Sequence, residues 1–526
     1  MNKTMRQHSF ASRLKSLALA FGITLAFASC ANEDIAQNQN NKDNDANLTT
    51  FSTGDPTTRT SMESNGTFYW ESGDKIWVKD DNGAWQQSSN APTEKTASFK
   101  FKVPGKFTKG NTYKVYYPGK NGNKDQVSIA ANQSQAEPNT TAHFGTAGDC
   151  GMADAAWSNA KNGFAFTLDH KAAYLLFLPR TSNTILQSCY LTKVEVNSDN
   201  DITSTYTLDP TTGELTGTGT GKQITISTGG SGTYPNGFPL TNNATSAATN
   251  GAYVVIKPGT HILKIRYWVK DLVTNVEGTI TKTLSSATYD QNKYYNITAN
   301  LDARDYDGDH YYMWDAQQQY WYGYEWTKHL PGNTGQPTVG VSSFSSNYAQ
   351  NNTDSRWYHE GSGAFQATQS CASLPNANEL SWYVMYGDPR WDGDELWTTM
   401  GHLCKGGMWF KKKSVLQAEG HYDTEKSADG STDLRTTSNN YSNNSSSINN
   451  SGLLSAADAG KYFYLPALGY YASGGLYYVG YAGYYWSSSA VPGSCNCAYI
   501  LRFLSGYVFV NYGGIRHNGN WVGGFE

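Results

Sequence analysis

The chain has 526 residues, and its composition is unusual in having 37 tyrosines, 15 tryptophans and 52 glycines. That length predicts several domains rather than one. The formal net charge is −4, and the first 29 residues carry four basic and no acidic side chains. The rest of the chain therefore carries a net charge of −8, which disfavours a nucleic-acid-binding protein.

The first 29 residues have the pattern of an export signal. A basic stretch precedes the apolar run 17–28, which is too short for a permanent transmembrane helix. The run leads to Phe-Ala-Ser-Cys at Cys30, which resembles a bacterial lipobox and implies cleavage before Cys30 and acylation of its thiol. The acids Glu33 and Asp34 resemble the surface-export signal of Bacteroidetes lipoproteins, which implies an outer-membrane, cell-surface location through a lipid anchor such as palmitate. The alternative is a plain secretory peptide with an incidental cysteine.

Residues 30–48 are rich in Asn, Asp and Gln, which predicts a disordered tether. From residue 49 to 302 the sequence predicts mainly β-structure, because short runs of β-branched and aromatic residues alternate with turn signals, as in β-sandwiches. No stretch of useful length has a helical period before residue 300. The predicted strands lie within residues 67–70, 75–78, 98–103, 113–117, 174–178, 194–196, 253–256 and 263–269.

Three motifs in this region resemble the fimbrillin family of type V pili: Thr58-Arg-Thr, Trp70-Glu-Ser-Gly-Asp-Lys-Ile-Trp-Val and Lys293-Tyr-Tyr-Asn-Ile-Thr-Ala-Asn-Leu. The resemblance implies two tandem fimbrillin-like β-sandwiches, over residues 49–160 and 161–302. It also implies that Arg59 is a protease site, whose cleavage frees a groove for a strand donated by a neighbouring subunit. A solvated arginine at a strand edge is the alternative for Arg59.

Beyond residue 302 the composition shifts towards Trp and Tyr. The segment 305–309 spaces three carboxylates as a calcium loop does, but it lacks the order of an EF-hand, so a solvated linker turn is predicted. A helix is predicted over 374–386, capped by Asn376 or Asn378, and another from Asp394 through Leu403. Residues 436–451 are almost wholly Asn, Ser and Thr, which predicts a long surface loop.

The stretch 465–525 is distinguished by the residue types that it lacks. Tyr and Gly dominate it, Arg502 and Arg516 are its only formal charges, and Lys, Glu, Gln and Met are absent. None of these four types has a codon that ends in a pyrimidine. Codons of the AAC type with randomised adenines would produce this composition, so the stretch is predicted to be diversified. Trp cannot arise in this way, which makes Trp486 and Trp521 fixed scaffold.

Within this stretch, residues 498–504 and 507–511 alternate with a period of two, as in strands with two different faces. Residues 505–506, Ser-Gly, predict the turn between them. One face is predicted to be packed and carries Leu501, Phe503, Val508 and Val510. The other is predicted to be free to vary and carries Ile500, Arg502, Leu504, Tyr507, Phe509 and Asn511. The alternative is a Gly/Tyr-rich segment that is buried on both faces.

The order of fixed Trp and Gly positions resembles the C-type-lectin-like variable domains of Bacteroides-type surface proteins. The matching motifs are the Tyr-rich segment 462–519, Leu374-Pro-Asn-Ala-Asn-Glu-Leu-Ser-Trp, Gly387-Asp-Pro-Arg-Trp-Asp-Gly-Asp-Glu-Leu-Trp and Gly406-Gly-Met-Trp-Phe-Lys-Lys-Lys. The resemblance covers residues 303–526. It implies an α+β C-type-lectin-like domain, of the fold shared with formylglycine-generating enzymes, that is diversified by a retroelement acting on adenines. The ending Val522-Gly-Gly-Phe-Glu departs from the family pattern, which leaves the final strand open.

Seven cysteines are present, and six remain if Cys30 is lipidated. An exported location permits disulfides, but the sequence does not fix their pairing. Cys495-Asn-Cys497 is too tight for an unstrained bridge and lies in the variable stretch, so chance diversity is favoured over a zinc site. The dedicated cysteines of formylglycine-generating enzymes have no counterpart, and neither a phosphate loop nor a nucleophile elbow is present. A protein that is not an enzyme and needs no metal or cofactor is therefore expected.

Tyr offers a large, rigid and amphipathic contact, and Ser, Gly and Asn adapt around it, as in antibody paratopes. These residue types therefore predict a ligand-binding surface on the variable face. Its predicted contact residues are Tyr471, Tyr478, Tyr481, Ile500, Arg502, Leu504, Tyr507, Phe509, Asn511, Tyr512 and His517.

The predicted function is that of a cell-surface adhesin at the tip of a pilus, because the binding domain occupies the C-terminus where a shaft subunit needs a strand to donate. Its expected partners are other pilus subunits, the outer membrane through the lipid anchor, and a protein or glycan ligand on host cells or neighbouring bacteria. Two alternatives stay open. One is a shaft or anchor subunit with a decorative domain, and the other is a carbohydrate-binding surface lipoprotein of fixed specificity.

Overall fold

A computed structural model describes residues 6–9, 47–53, 61–62, 68–230, 232–306, 308–325, 346–446, 448 and 454–525. The predicted lipidation residue Cys30 and protease site Arg59 lie outside the described residues, as does most of the predicted tether. The described chain is mainly β-strand and divides into two compact units. Unit 1 comprises Met1–Thr181, Tyr190–Ile265 and Leu284–Asn300, and unit 2 comprises Ser182–Cys189, Arg266–Thr283 and Leu301–Glu526.

Up to residue 300 the chain forms short strands and two one-turn helices, α1 (Phe144–Ala147) and α2 (Ala247–Asn250). The strands are β1 (Arg6–Ser9), β2 (Leu48–Thr53), β3 (Ser61–Met62), β4 (Phe68–Tyr69), β5 (Trp77–Lys79), β6 (Trp85–Gln87), β7 (Lys100–Pro104), β8 (Tyr113–Tyr117), β9 (Gln126–Ser128), β10 (Asn132–Gln135), β11 (Gly151–Ser158), β12 (Gly163–Phe166), β13 (Asp169–His170), β14 (Ala173–Arg180), β15 (Tyr190–Ser198), β16 (Thr205–Leu208), β17 (Leu215–Thr216), β18 (Gln223–Thr228), β19 (Phe238–Pro239), β20 (Ala252–Ile256), β21 (Gly259–His261), β22 (Leu263–Lys270), β23 (Glu277–Thr283), β24 (Ala287–Tyr289) and β25 (Lys293–Asn300).

The first sheet of unit 1 has the strand order β6-β5-β8-β11-β12-β2-β7. Strand β2 lies inside it, in parallel with β12 and antiparallel to β7. Phe51 of β2 is fully buried and stacks on Phe164 of β12 with 5.0 Å between ring centroids. Phe164 and Phe166 of β12 belong to this core, and β13 pairs with β11. The first sheet therefore extends past the boundary predicted at residue 160 and reaches His170.

Further sheets complete unit 1. In one, β25 lies between β1 and β14, and β14 pairs with β20. In another, β15 pairs with β18, which lies in parallel with β10. Each strand run predicted from the sequence coincides with one of the described strands, and the α-helices described before residue 300 are the short α1 and α2, as predicted. Strand β1 belongs to the predicted export signal, so cleavage before Cys30 would remove it from β25.

Unit 2 combines mixed sheets with two helices, α3 (Ala377–Tyr386) and α4 (Lys413–Ala418). Its strands after residue 300 are β26 (Tyr311–Tyr312), β27 (Arg390–Thr399), β28 (His402–Lys411), β29 (Tyr441–Asn443), β30 (Tyr462–Pro466), β31 (Tyr470–Ala472), β32 (Gly475–Tyr477), β33 (Ala482–Ala490), β34 (Cys497–Leu504), β35 (Tyr507–Ile515) and β36 (Asn520–Trp521). One sheet has the order β26-β36-β33-β34-β35-β29, and another contains β23-β27-β28-β30. Strand β36 is thus the final strand, next to β33.

Helix α3 confirms the helix predicted at 374–386. The side chain of Asn376 accepts a hydrogen bond from the Glu379 N–H at 3.0 Å, and the Glu379 carboxylate accepts one from the Asn376 N–H at 2.8 Å. This reciprocal capping satisfies backbone donors that the first turn leaves free. Leu380, Tyr383 and Val384 are buried in the main core of unit 2, so the helix stands behind the packed face of the central sheet.

One helix prediction in unit 2 is wrong, and one loop prediction is incomplete. The helix predicted from Asp394 through Leu403 is instead the hairpin β27–β28, because Met400 and Gly401 adopt left-handed φ angles of 49° and 80° and turn the chain back. The loop predicted over 436–451 contains β29, which pairs antiparallel with β35. This segment therefore covers the sheet edge that β35 would otherwise leave open.

A buried polar network joins β23 to β27 within unit 2. Arg266 pairs with Asp392 at 3.0 Å. The Glu395 carboxylate accepts hydrogen bonds from the Thr281 N–H at 2.9 Å, the Thr281 hydroxyl at 2.6 Å and the Thr279 hydroxyl at 3.1 Å. Burial, followed by the charge of Asp392, raises the pKa of Glu395 to about 7. The network fixes the register in which Thr279 stands opposite Glu395.

Candidate functional site

The central strands β33, β34 and β35 turn one face into the core of unit 2. Leu501, Phe503, Val508 and Val510 are fully buried there, which confirms the packed face predicted from the period of two. The Phe503 ring stacks on Tyr485, with 5.9 Å between centroids, and it lies so close to Gly483 that a Cβ there would approach the ring to 2.2 Å. This face therefore has no room for a change of side-chain volume.

Cross-strand rows organise the opposite face of the same strands. Tyr484, Arg502 and Phe509 stand opposite one another on β33, β34 and β35, and Ser442 of β29 continues the row. Leu504 and Tyr507 stand opposite each other in the neighbouring row. Because adjacent strands lie about 4.8 Å apart, side chains within a row contact one another.

These rows form part of a continuous band that we call the aromatic strip: Tyr470, Tyr477, Tyr478, Tyr484, Arg502, Phe509 and Tyr507. The Tyr470 ring lies 5.9 Å from Tyr477 and 4.5 Å from Tyr484 between centroids. The Arg502 guanidinium lies 5.0 Å from the Tyr484 ring centroid and 5.2 Å from that of Phe509. Phe509 and Tyr507 stack at 5.5 Å with 12° between their planes. The strip reaches solvent at its two ends, where Tyr478 is 48% and Tyr507 38% exposed.

The hairpin β31–β32 supplies one end of the strip. Residues 473 and 474 have left-handed φ angles of 48° and 79° and form its two-residue turn, which places Tyr470 opposite Tyr477. Tyr478 follows with a φ of 62°, a costly conformation for a bulky residue. Its carbonyl accepts hydrogen bonds from the N–H groups of residues 481 and 482, both at 3.0 Å, which hold the turn. Strain of this kind, kept by the surrounding structure, is typical of functional sites.

Tyr471 and Ile500 are wrongly predicted as contact residues, because both are buried. Tyr471 alternates with Tyr470, faces the opposite side of β31, and packs against Tyr311 with 4.9 Å between ring centroids. Ile500 is 6% exposed and belongs to a second core cluster with Trp486.

The other predicted contact residues reach the surface to different degrees. Five are exposed: Tyr478, Tyr481, Tyr507, Tyr512 and His517. Four are partly exposed: Arg502, Leu504, Phe509 and Asn511. The strip brings together Tyr478, Arg502, Tyr507 and Phe509, and Leu504 lies beside it. His517 instead stacks on Trp357, with 6.4 Å between ring centroids.

Sequence reasoning missed three residues of the strip, Tyr470, Tyr477 and Tyr484. If the period of two is continued back along β33, Gly483 and Tyr485 point into the core. Tyr484, which lies between them, then belongs to the variable face. The Ser-Gly-Gly turn signal at 473–475 would have predicted the hairpin that pairs Tyr470 with Tyr477.

The two arginines of the last 61 residues have different environments. Arg516 is fully buried and donates hydrogen bonds to the carbonyl oxygens of Cys497 at 2.9 Å and Gly361 at 3.0 Å. Its guanidinium lies between the rings of Trp314 and Phe365, at 4.7 and 4.9 Å from their centroids. Arg516 therefore stabilises the loops around it rather than facing a ligand.

Arg502, in contrast, is partly exposed in the middle of the strip. Its buried Nε has no hydrogen-bond partner in the described part of the chain. Burial raises the pKa of Tyr484 to about 12 and, less strongly, that of Tyr470 above its ordinary value. These phenols are neutral near pH 7, so Arg502 is the only formal charge of the strip.

Within the part of the chain that the structure describes, neither the cysteines nor the acids form a second site. The six cysteines from Cys150 to Cys497 are free thiols, and Cys495 is exposed. Among the described residues, no group of three or more His, Cys, Asp or Glu side chains could hold a metal ion. In the segment 305–309, which is predicted to be a solvated linker turn rather than a calcium loop, Asp305 accepts a hydrogen bond from Thr398 at 2.9 Å, and Asp307 lies outside the described residues.

A transmembrane helix is not found in the described ranges, since none of their helices is both long and apolar enough to cross a membrane.

Comparison with known proteins gives only distant likenesses. No family model matches the chain, and no curated protein matches it. Among solved structures, a candidate cell adhesion protein from Bacteroides ovatus is 13% identical, with 48% of this chain and 93% of that chain covered and a TM-score of 0.32. A fimbrial protein from the same organism is 12% identical, with 90% and 98% covered and a TM-score of 0.24. The fimbrial anchor protein Mfa2 from Porphyromonas gingivalis is 11% identical, with 45% and 82% covered and a TM-score of 0.22. Because each TM-score is below 0.5, these likenesses do not establish a shared fold or function.

Proposed function

We propose that this chain is a cell-surface adhesin, exported as a lipid-anchored precursor and assembled as the tip subunit of a type V pilus, and that it binds ligands through the aromatic strip. The observation that carries the proposal is the contrast between the two faces of β33, β34 and β35. One face is closed by packing along its length. The other face is covered by a second core cluster around Trp486 and Ile500, and beside that cluster it presents a row of rings around a single charge. The motifs that resemble fimbrillins and lectin-like variable domains point in the same direction.

The strip has the composition and layout of a binding surface. Tyr and Arg are the residue types that most often dominate interface energies, and they act best when clustered. The phenol rings are held by their neighbours, so ligand binding would cost little side-chain entropy. Arg502, Leu504, Tyr507 and Phe509 are exposed or only partly buried, so these side chains can change without leaving a large cavity, which is what a diversified surface needs. The proposed role is therefore binding, and no reaction is assigned to the strip.

Adherence of coated beads tests the binding role. Beads that carry the purified protein are applied to cultured epithelial cells and to neighbouring bacteria of the same habitat. Tyr507→Ala and Phe509→Ala are expected to reduce adherence at least ten-fold while lowering the melting temperature by only a few degrees. Tyr322→Ala, which changes an exposed tyrosine outside the strip, is the matched control and should leave adherence unchanged. Equal adherence of all variants would contradict the proposal.

Diversification of the strip is tested by sequencing the locus from a growing population. Substitutions are expected at Arg502, Leu504, Tyr507 and Phe509, where the face is open, and at similar positions. Substitutions that are equally frequent at the buried Phe503 would contradict a diversified face built on a fixed core.

Fibre assembly is proposed to use the position that β2 occupies between β7 and β12 in the first sheet of unit 1. Cleavage after Arg59 would release this strand together with the lipid-bearing Cys30 of the precursor, and Phe51 of the strand would leave the space that it fills beside Phe164 between β7 and β12. A strand donated by another subunit would then take its place. Arg59→Ala should prevent processing, which mass spectrometry of the mature N-terminus would show, and should abolish incorporation into fibres. Normal incorporation of the unprocessed variant would contradict this route.

The lipid anchor and the tip position have separate tests. Cys30→Ala should abolish acylation and surface retention while the purified protein keeps its melting temperature. Antibodies to residues 303–526 should label fibre ends only. Regular labelling along the fibre would contradict the tip position and favour a shaft subunit.

A further inference from the structure

We propose that the strip recognises a protein partner through an acidic side chain, which Arg502 binds. The inference rests on the proposed function, since it assigns the chemical class of the ligand at the same surface. The two-face geometry defines this surface, and the charge at its centre sets the chemistry of the ligands that it can select.

Arg502 lacks the acidic partner that several other arginines of unit 2 have. Arg356 pairs with Asp354 at 2.7 Å, Arg390 with Asp388 at 2.9 Å, and Arg435 with Glu425 and Asp433. For Arg502, the described chain supplies no acidic side chain and no acceptor for the buried Nε. A guanidinium offers five donors in a planar fork that matches a carboxylate. The guanidinium of Arg502 can therefore bind a carboxylate from a partner, since the described residues supply none.

The rings around Arg502 prepare it for this role. Tyr484 and Phe509 flank the guanidinium at 5.0 and 5.2 Å, and both rings attract the cation and limit its motion. Side chains ordered before binding lose less entropy on binding. Partial burial also lowers the local dielectric, so an incoming carboxylate would gain more from the pair than it would at an open surface.

The surroundings favour a protein segment over an acidic sugar. The nearest side chains in the two rows are Tyr484, Phe509, Leu504 and Tyr507, which offer rings and an aliphatic group. Sugar hydroxyls need several fixed polar groups, and Asn511 already uses its side-chain oxygen to accept a hydrogen bond from the Gly513 N–H. One charge within an apolar band fits an Asp or Glu side chain with apolar neighbours, as in many protein interfaces.

Paired peptide arrays test the inference. One array carries 15-residue peptides with a central Asp or Glu between apolar residues, and a second carries the same peptides with Asn or Gln at the centre. The wild-type protein should bind acidic members at least ten-fold more tightly than their amide counterparts, and added salt should reduce the difference. Arg502→Gln should remove the preference, and Arg502→Lys should restore part of it because the charge returns without the fork.

Controls separate this inference from the proposed function. Tyr507→Ala should weaken binding to both arrays alike and leave the acid-to-amide ratio unchanged, because that ring supplies contact area rather than charge. An acid-to-amide ratio of one for the wild type, or a ratio that survives Arg502→Gln, would overturn the inference while leaving the adherence test of the strip intact. Neutral and uronate-bearing oligosaccharides form a further arm. Selective binding of the uronates, with no peptide bound, would overturn the assignment to a protein partner.

Discussion

Two phenylalanines on adjacent strands of the same hairpin provide the sharpest test of the two-face geometry. Phe503 on β34 is fully buried and contacts Tyr485 and Phe410, with ring centroids 5.9 and 6.0 Å away. Phe503→Ala removes a ring from a close-packed core, which typically costs about 3–5 kcal/mol of unfolding free energy. Phe509 on β35 is partly exposed and contacts Tyr507 and Arg502 on the open face. Phe509→Ala loses only these surface contacts, which are worth about 1 kcal/mol together.

Chemical denaturation followed by tryptophan fluorescence measures both free energies. The chain has two compact units, so its unfolding need not be two-state, and the transition of unit 2 has to be identified first. Val78→Ala changes the core of unit 1, so the unfolding transition that it shifts is that of unit 1. The remaining transition is then that of unit 2. Similar losses of stability for Phe503→Ala and Phe509→Ala would show that both faces are buried, and the reasoning about the strip would be refuted.

Three further predictions concern the scaffold of unit 2. Gly483→Ala should destabilise it by about 1–3 kcal/mol in the same denaturation assay, because the new Cβ would meet the Phe503 ring at 2.2 Å, and normal stability would contradict this packing. Arg516→Met should lower the free energy of unfolding by about 3–5 kcal/mol, because it leaves buried carbonyl oxygens without donors. Arg502→Met should lower it by about 1 kcal/mol or less. Equal losses for the two variants would contradict their different environments. Glu395 has a folded-state pKa of about 7, above its ordinary 4.5, so its contribution to stability is fully present below about pH 4.5 and is lost as pH rises to 7. Between these pH values the free energy of unfolding of the wild type should fall by about 2–3 kcal/mol because of Glu395, and Glu395→Gln should remove that decrease. An unchanged pH profile in the variant would contradict the raised pKa.

The sequence was most informative where a short period recurs. Alternation over residues 498–511 correctly separated Leu501, Phe503, Val508 and Val510 from the open face, because a strand places successive side chains on opposite sides. The Asn376 cap of α3 was also predictable, since its capping box involves residues only three positions apart. Local patterns of this kind do not depend on the rest of the chain.

Other predictions failed where distant contacts decide the outcome. Tyr471 and Tyr470 are identical in type, and only the packing of β31 against Tyr311 shows which of them is buried. The segment from Asp394 has acids suited to a helix start, but the turn at Met400-Gly401 and the pairing of β27 with β28 override that preference. Strand β29 consists of residues typical of loops, and it forms because β35 offers an open edge. Among the described residues, Arg502 has no acidic partner. The sequence could not show this, because the fold decides which acids lie near each arginine.

A mutational scan of residues 482–515 with two readouts tests the central claim most directly. Each single substitution is displayed on cells, where the amount on the surface reports folding and adherence per displayed molecule reports binding. The two-face account predicts that substitutions at Leu501, Phe503, Val508 and Val510 reduce display. Substitutions at Arg502, Tyr507 and Phe509 are predicted to leave display unchanged and to alter adherence. Loss of display at both sets of positions, or unchanged adherence at the second set, would contradict the claim that the aromatic strip is a binding surface on a fixed scaffold.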